Sequence, residues 1–384
     1  MTRFLRLPAL VMLLVSFLLL TSCPTPSLMG TSIWTNPGST ASWSVVGNAD
    51  FSAAATGALS LAIGPDNAPY VAYQDGRVNA ATVMEFSNGS WANTGPSSDG
   101  AIDYPSLAFS PSGALYFAFQ DQFTGSNQAT VMNLQSGAWS LVGSSRFSMG
   151  QASYVSLAVD SNGTPYVAYS DNLTSPFAGM AVVRRFDGGS WAAVGVEGFS
   201  AGLAGYTSLA IDLKNTLYVA YADGAQGNKV SLQEFNGYAW GYVGPAGFSA
   251  GAASDVTLAI DPSGIPCVGY CDAGNAGKAT VMRYLNGAWS SVGAAGFSAG
   301  AAAYTSLLIS PGGIPYIAYQ DFSTSPVNKA TALKFNGTAW MGLGSPGFTS
   351  NPADHIRLAM DSNGVPYVAF RDQSSLMANV MAFK

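Results

Sequence analysis

The stretch PYVAYQD, Pro69 to Asp75, reads as a short strand buried on both faces and ending in a carboxylate. The chain repeats it six more times. The variants are LYFAFQD (Leu115–Asp121), PYVAYSD (Pro165–Asp171), LYVAYAD (Leu217–Asp223), PCVGYCD (Pro266–Asp272), PYIAYQD (Pro315–Asp321) and PYVAFRD (Pro366–Asp372). A near-continuous apolar run without strict alternation is what a strand packed from both sides requires. The question is what architecture packs seven of them alike.

Three further landmarks recur with it. Trp followed by a Val/Leu-Gly step stands at Trp43, Trp139, Trp191, Trp240, Trp289 and Trp340, with a degenerate copy at Trp91. Successive Trp positions lie 48, 48, 52, 49, 49 and 51 residues apart. SLAI-like runs begin at Ser60, Ser106, Ser156, Ser208, Thr257, Ser306 and Arg357, and ATVMEF-like runs end at Phe86, Leu134, Phe186, Phe235, Tyr284, Phe335 and Phe383. Each unit thus holds four short strands, here named A (SLAI), B (PYVAY), C (ATVMEF) and D (AWSSVG). Asp-Ser-Asn-Gly steps such as Asp160 to Gly163 join A to B, and Asn-Gly steps such as Asn286-Gly287 join C to D; these are tight-turn signatures. Four antiparallel strands repeated seven times resemble the seven-bladed β-propeller superfamily. The first D strand, residues 41–47, has no A, B or C before it, and the last A, B and C have no D after them. This offset resembles the "velcro" closure of propellers, with the N-terminal strand completing the last blade. We expect an all-β, seven-bladed propeller over residues 41–384. The small residues of A suit the crowded axis. The resemblance implies architecture and not activity.

Before the repeats, Arg3 and Arg6 precede the apolar run Leu7 to Leu20 and then LTSC, residues 20–23. A basic start, an apolar core and small residues before a cleavage point are the marks of a secretory signal. LTSC resembles the bacterial lipobox, which implies cleavage before Cys23 and lipid attachment to it. We therefore read 1–22 as signal peptide and 23–40, rich in Pro, Ser, Thr and Gly, as lipidated Cys and tether. The expected location is the bacterial cell envelope, extracytoplasmic and anchored by lipid at the outer membrane or cell surface. The chain carries a net charge of −6 and no basic run. This excludes nucleic acid and anionic head groups as partners, since their affinity comes from Lys and Arg neutralising phosphates. We expect a monomer with an unidentified protein or glycan ligand.

Strand direction places the D-to-A and B-to-C connections on one face and the tight turns on the other. Long variable loops on a rigid scaffold are where binding is usually placed. Three positions meet there. An aromatic stands two residues before the Ser/Thr of strand A: Tyr104, Tyr154, Tyr206 and Tyr304, with Ala58, Asp255 and His355 in the other blades. The residue before each repeated Asp is Gln74, Gln120, Gln320 or Arg371, among others. A ring of Tyr, Asp and Gln could stack on and hydrogen-bond a sugar or small polar ligand. Because one asymmetric ligand needs unequal blades, Asp255, His355 and Arg371 attract particular notice. The repeated Asp75, Asp121, Asp171, Asp223, Asp272, Asp321 and Asp372 read as structural, accepting backbone N–H bonds from the next loop and in some blades pairing with Lys229, Lys278 or Lys329. The Phe of the GFSAG-like loops reads as an anchor between blades.

No cofactor or metal site is expected. There is one histidine, His355. Cys267 and Cys271 lie four residues apart on one strand, about 13 Å, beyond disulfide reach. The Asp-x-Asn-Gly turns lack the further carboxylates calcium needs. The arginines are scattered over unlike repeat positions, so the chain departs from sialidase-like propellers, and no GxSxG or HExxH is present. The reading is a lipid-anchored binding module, with carbohydrate as one ligand class. An envelope-assembly scaffold and a glycoside-active enzyme are the alternatives.

Overall fold

The computed structural model describes residues 41–384 except 97, 99, 173–177 and 326–327. Cys23 and the residues read as signal and tether, 1–40, lie outside the described residues. Seven four-stranded antiparallel sheets form seven blades in a ring. Blade 1 is Thr56–Ile63, Pro69–Asp75, Ala80–Ser87 and Ser90–Gly95, paired in that order. Blade 7 takes its outer strand from the start of the repeats: Trp43–Val45 pairs with Ala378–Phe383, Trp43 facing Phe383. The A strands of blades 1 and 7 also touch, which closes the ring.

The tight turns follow their chemistry. Asn286 and Gly287 both take positive φ, 54° and 81°, as a two-residue hairpin turn needs. Asp160 folds its own turn by accepting from the N–H groups of Asn162 and Thr164 through Oδ1.

The blades are riveted at their outer edge. Every D-strand Trp donates its indole N–H to a carbonyl of the preceding blade: Trp91 to Val46, Trp139 to Thr94, Trp191 to Val142, Trp240 to Val194, Trp289 to Val243, Trp340 to Val292 and Trp43 to Leu343, all at 2.6–2.9 Å. Six of these indoles also stack on the loop Phe of the preceding blade, with ring centroids 3.8–4.6 Å apart. Trp139 lacks that partner because the preceding loop, residues 96–101, carries no Phe. The glycine ending each Trp motif lets this contact form. At Gly244, φ is +73°, and a Cβ would stand 2.8 Å from Tyr284 and 3.0 Å from Trp289 Nε1.

The repeated carboxylates hold the B-to-C loops. Asp75, Asp121, Asp223, Asp272, Asp321 and Asp372 each accept the backbone N–H two residues on, at 2.7–3.0 Å. Asp223 and Asp321 also take a strand-C hydroxyl, Ser231 Oγ at 2.8 Å and Thr331 Oγ1 at 2.9 Å. The N–H of Gly150 reaches Asp171 Oδ2 at 3.3 Å. The expected lysine pairs do not form among the described residues. Lys229, Lys278 and Lys329 face Asp223, Asp272 and Asp321 in register, yet the ion pairs of this set are Arg77–Asp75 and Arg146–Asp121. Neighbouring N–H and hydroxyl groups already satisfy the carboxylates, so the lysines gain nothing by leaving water.

Strand A differs from the sequence expectation in length. It starts before the SLAI run and spans eight residues in every blade, as in Ala302–Ile309. Its first half was hidden in what reads as loop, because a β-bulge interrupts the period-2 pattern there.

Deleting residues 41–47 removes Trp43 with its bond to Leu343 and its stack on Phe348, and bares the edge of Ala378–Phe383. Loss of a packed Trp alone costs about 3 kcal/mol or more, a large share of a typical stability of about 5–15 kcal/mol. The expected outcome is aggregation, or a fall in Tm of at least about 5 °C, by calorimetry with light scattering. A truncated chain that melts like the parent overturns the closure argument.

Candidate functional site

The seven A strands converge on the axis and line a cavity of about 440 Å³. That volume falls in the range of small-molecule sites. Two levels of side chains form its wall. The upper level is Ala58, Tyr104, Tyr154, Tyr206, Asp255, Tyr304 and His355, one from each blade. The lower level, two residues further along each strand, is Ser60, Ser106, Ser156, Ser208, Thr257, Ser306 and Arg357.

The upper level has an unusual backbone. Tyr104, Tyr154, Tyr206, Asp255, Tyr304 and His355 all take positive φ, between 48° and 56°. Each sits at the bulge, where two residues of strand A oppose one of strand B; between Ser153 and Ser156, for example, the register slips. Such a position is normally given to glycine, because a Cβ in the left-handed region meets its own carbonyl. The next blade helps hold the strained conformation: Thr207 donates to the carbonyl of Tyr154, and Thr305 to that of Asp255. Strain of this kind persists only where the surroundings over-determine it, and it concentrates at functional sites.

The left-handed turn sets the side chains side by side around the mouth. Tyr104 and Tyr154 have ring centroids 5.2 Å apart, Tyr154 and Tyr206 5.0 Å, and Tyr304 and His355 4.9 Å. The result is an aromatic arc over blades 2 to 4, a carboxyl at blade 5, a second aromatic pair over blades 6 and 7, and a gap at Ala58. Burial pushes the carboxyl of Asp255 up from its ordinary pKa, against the hydrogen bonds it receives. It accepts from Ser254 Oγ at 3.3 Å and from the Cys271 thiol at 3.7 Å. Asp103 beside Tyr104 is likewise raised by burial. Tyr206 is pushed up to about 12 by burial and then by the charge of Asp255. His355 is held down to about 4, first by burial; Asp354 opposes this, and the cations of Arg357 and Arg371 add to it. Its imidazole is therefore neutral at pH 7.

The remaining residues singled out in the sequence stand elsewhere. Gln120 and Gln320 are buried between blades, donating to the carbonyls of Ala152 and Ala353 at 2.8 Å. Gln74 bonds Asn79 in an exposed loop. Arg371 forms a two-pronged ion pair with Asp354, Nε to Oδ1 at 2.8 Å and Nη2 to Oδ2 at 2.6 Å, and reaches the carbonyl of Thr56 at 3.1 Å. None of these four lines the cavity. Strand alternation explains it: the residue before each repeated Asp points to the opposite side of strand B, and Gln120, Gln320 and Arg371 there reach a strand-A carbonyl of the next blade. Sequence reasoning missed Asp103 and Arg357 as cavity residues. The signal for Arg357 was present, since it alone replaces Ser or Thr in the seven SLAI-like runs. Cys267 and Cys271 are free, buried thiols. Among the described residues no cluster of His, Cys, Asp and Glu suits a metal ion.

If the bulge backbone is strained, relieving it should be measurable at one position. Tyr154→Ala and Tyr154→Gly both delete the ring, but only alanine keeps a Cβ at φ +56°. The glycine variant should be the more stable by about 1 kcal/mol in denaturant unfolding. Equal stabilities, or a less stable glycine variant, would show that the position carries no strain.

No protein-family model matches the chain, and no curated protein matches it. Solved structures do. A triple-arginine mutant of AofleA from Arthrobotrys oligospora aligns with a TM-score of 0.52 at 10% identity, covering 80% of this chain and 90% of that one. The Hadza microbial sialidase Hz136 gives 0.50 at 14% identity, covering 80% and 74%. A protein of unknown function from Dyadobacter fermentans gives 0.50 at 16% identity, covering 73% and 94%. At such identities the likeness is one of fold: the chain shares its β-propeller architecture with proteins that include a glycoside hydrolase.

Proposed function

We propose that this chain is a lipid-anchored, extracytoplasmic binding module that takes a small polar ligand, carbohydrate by chemical class, at the axial mouth of the propeller. One observation carries the reading: six blades keep a non-glycine residue in the left-handed conformation around one cavity, while the side chain at that position changes from Tyr to Asp to His. The aromatic arc offers ring faces for the apolar face of a sugar, and the hydroxyls below offer donors and acceptors. The unequal blades suit one asymmetric ligand.

A glycan and polysaccharide binding screen on residues 41–384 tests this. Tyr154→Ala should lose binding of any captured glycan by at least about 5-fold, and Tyr154→Phe should retain most of it. A screen without hits, or hits that Tyr154→Ala leaves unchanged, removes the cavity as the ligand site. A second reading, glycoside hydrolysis, draws on Asp103 and Asp255, two carboxyls raised by burial that line the same cavity; a pair of carboxyl groups is the usual machinery. Cleavage of a captured glycan in that assay, lost in Asp255→Asn, would favour it over simple binding.

The anchor rests on LTSC, and Cys23 is the proposed lipid attachment site. Cys23→Ser should move the protein from the membrane to the soluble fraction. A variant that stays membrane-bound with its signal uncleaved overturns the anchor.

A further inference from the structure

The lower level of the cavity is a ring of hydroxyls with one break. Ser60 Oγ accepts the backbone N–H of Leu107 in the next blade, Ser106 that of Leu157, Ser156 that of Leu209, Ser208 that of Leu258, Thr257 that of Leu307 and Ser306 that of Leu358, at 3.0–3.3 Å. Blade 7 carries Arg357 at this place. Arginine has donors only, so the corresponding bond to Leu61 of blade 1 is not made. The substitution gives up an inter-blade hydrogen bond and sets a permanent cation at the axis.

Among the described residues no carboxylate makes a contact ion pair with that cation, although Asp255 lies close enough for the two charges to act on each other. The one hydrogen bond of Arg357 to protein runs from Nη1 to the adjacent carbonyl of Ile356, at 2.9 Å. Asp255 is turned to Ser254 and Cys271, Asp103 accepts the N–H of Tyr104, and Asp354 is held by Arg371. Among the described residues Arg357 is the only Arg or Lys lining the cavity. Arg357 is half-buried and lines the cavity, and its Nε and Nη2 make no hydrogen bond to the described residues. A cation withdrawn from water and left unpaired is costly. At this position the other blades show a cheaper residue in place.

We propose that Arg357 is an oxyanion subsite at the floor of the cavity, and that the ligand is an acidic saccharide whose carboxylate, sulfate or phosphate meets the guanidinium while its ring lies on Tyr104, Tyr154 and Tyr206. The guanidinium fork matches all three oxyanions in two-pronged geometry. Neutral His355, beside it in sequence, adds a donor or acceptor. This rests on the axial cavity being the ligand site.

The test exploits two features of the chain. His355 is the sole histidine, so the full chain with labelled histidine gives one imidazole signal at the cavity. Serine at 357 would restore the residue that five other blades carry, so Arg357→Ser should fold and melt like the parent or slightly higher. Glucuronate, glucose 6-sulfate, glucose 6-phosphate and glucose are titrated against the His355 signal and by calorimetry. An acidic sugar should bind at least about 10-fold tighter than glucose, as a charge-assisted pair requires. Arg357→Ser should bring it to the level of glucose, and Arg357→Lys, which keeps the charge and loses the fork, should fall between. The tightest of the three acids names the oxyanion. If glucose binds as well as the acids, and Arg357→Ser changes neither while Tyr154→Ala abolishes both, the cavity reading stands and the oxyanion subsite falls. If no sugar, acidic or neutral, moves the His355 signal or releases heat, both fall.

Discussion

The ring depends on one hydrogen bond made seven times, from the indole N–H of each blade to a carbonyl at the end of the preceding D strand. An indole is large enough to cover the widening outer part of the gap between two wedges, and its single donor fixes the angle at which it does so. The carbonyl it meets lies just before the motif's glycine, whose left-handed backbone turns the chain out of the indole's way. The Phe after that glycine then folds back onto the indole face. One donor and one permissive backbone position thus define each blade interface, with an aromatic lid at six of the seven, and repetition carries the sheet around the axis until Trp43 of the N-terminal strand meets Leu343.

The inner edge obeys a different rule. There the blades are too close for an indole, and a hydroxyl spans the gap to a backbone N–H. This device runs unbroken from blade 1 to blade 7 and fails only at Arg357. At the seam that follows, Arg371, held by Asp354 of its own blade, reaches the carbonyl of Thr56, as Gln120 and Gln320 reach Ala152 and Ala353 at their interfaces. His355 and Arg357, the residues of blade 7 unlike their counterparts, line the cavity beside this seam. His355, Asp354, Arg357 and Arg371 interact there, and the depressed pKa of His355 reflects that neighbourhood together with its burial.

The bulged, left-handed level of strand A links fold to function. A regular strand would alternate its side chains between the channel and the blade interior. The bulge inserts one extra residue and swings its side chain sideways, which lets Tyr104, Tyr154 and Tyr206 pack ring beside ring instead of pointing across the axis. The cost is backbone strain of about 1–2 kcal/mol at each site, offset by packing around the ring and by the outer interfaces.

The sequence by itself determined the repeat, the strand number, the turn types and the closure, because each rests on local chemistry that recurs: an Asp that closes its own loop, an Asn-Gly that accepts positive φ, a Trp at a set distance from a glycine. It also marked Tyr104, Tyr154, Tyr206, Asp255, Tyr304 and His355 as one position seen in different blades. Only the tertiary structure decided what that position does, since a φ angle leaves no trace in the letters unless glycine stands there. Gln120 and Gln320 illustrate the same limit: one residue from the repeated Asp, they face the opposite way and are engaged by the neighbouring blade. Arg357 was visible as a departure from Ser, but no reading of one repeat could place it at the axis. Residues some 50 positions apart in sequence share a cavity wall only once all seven inner strands converge, and only that convergence sets which groups surround the charge of Arg357.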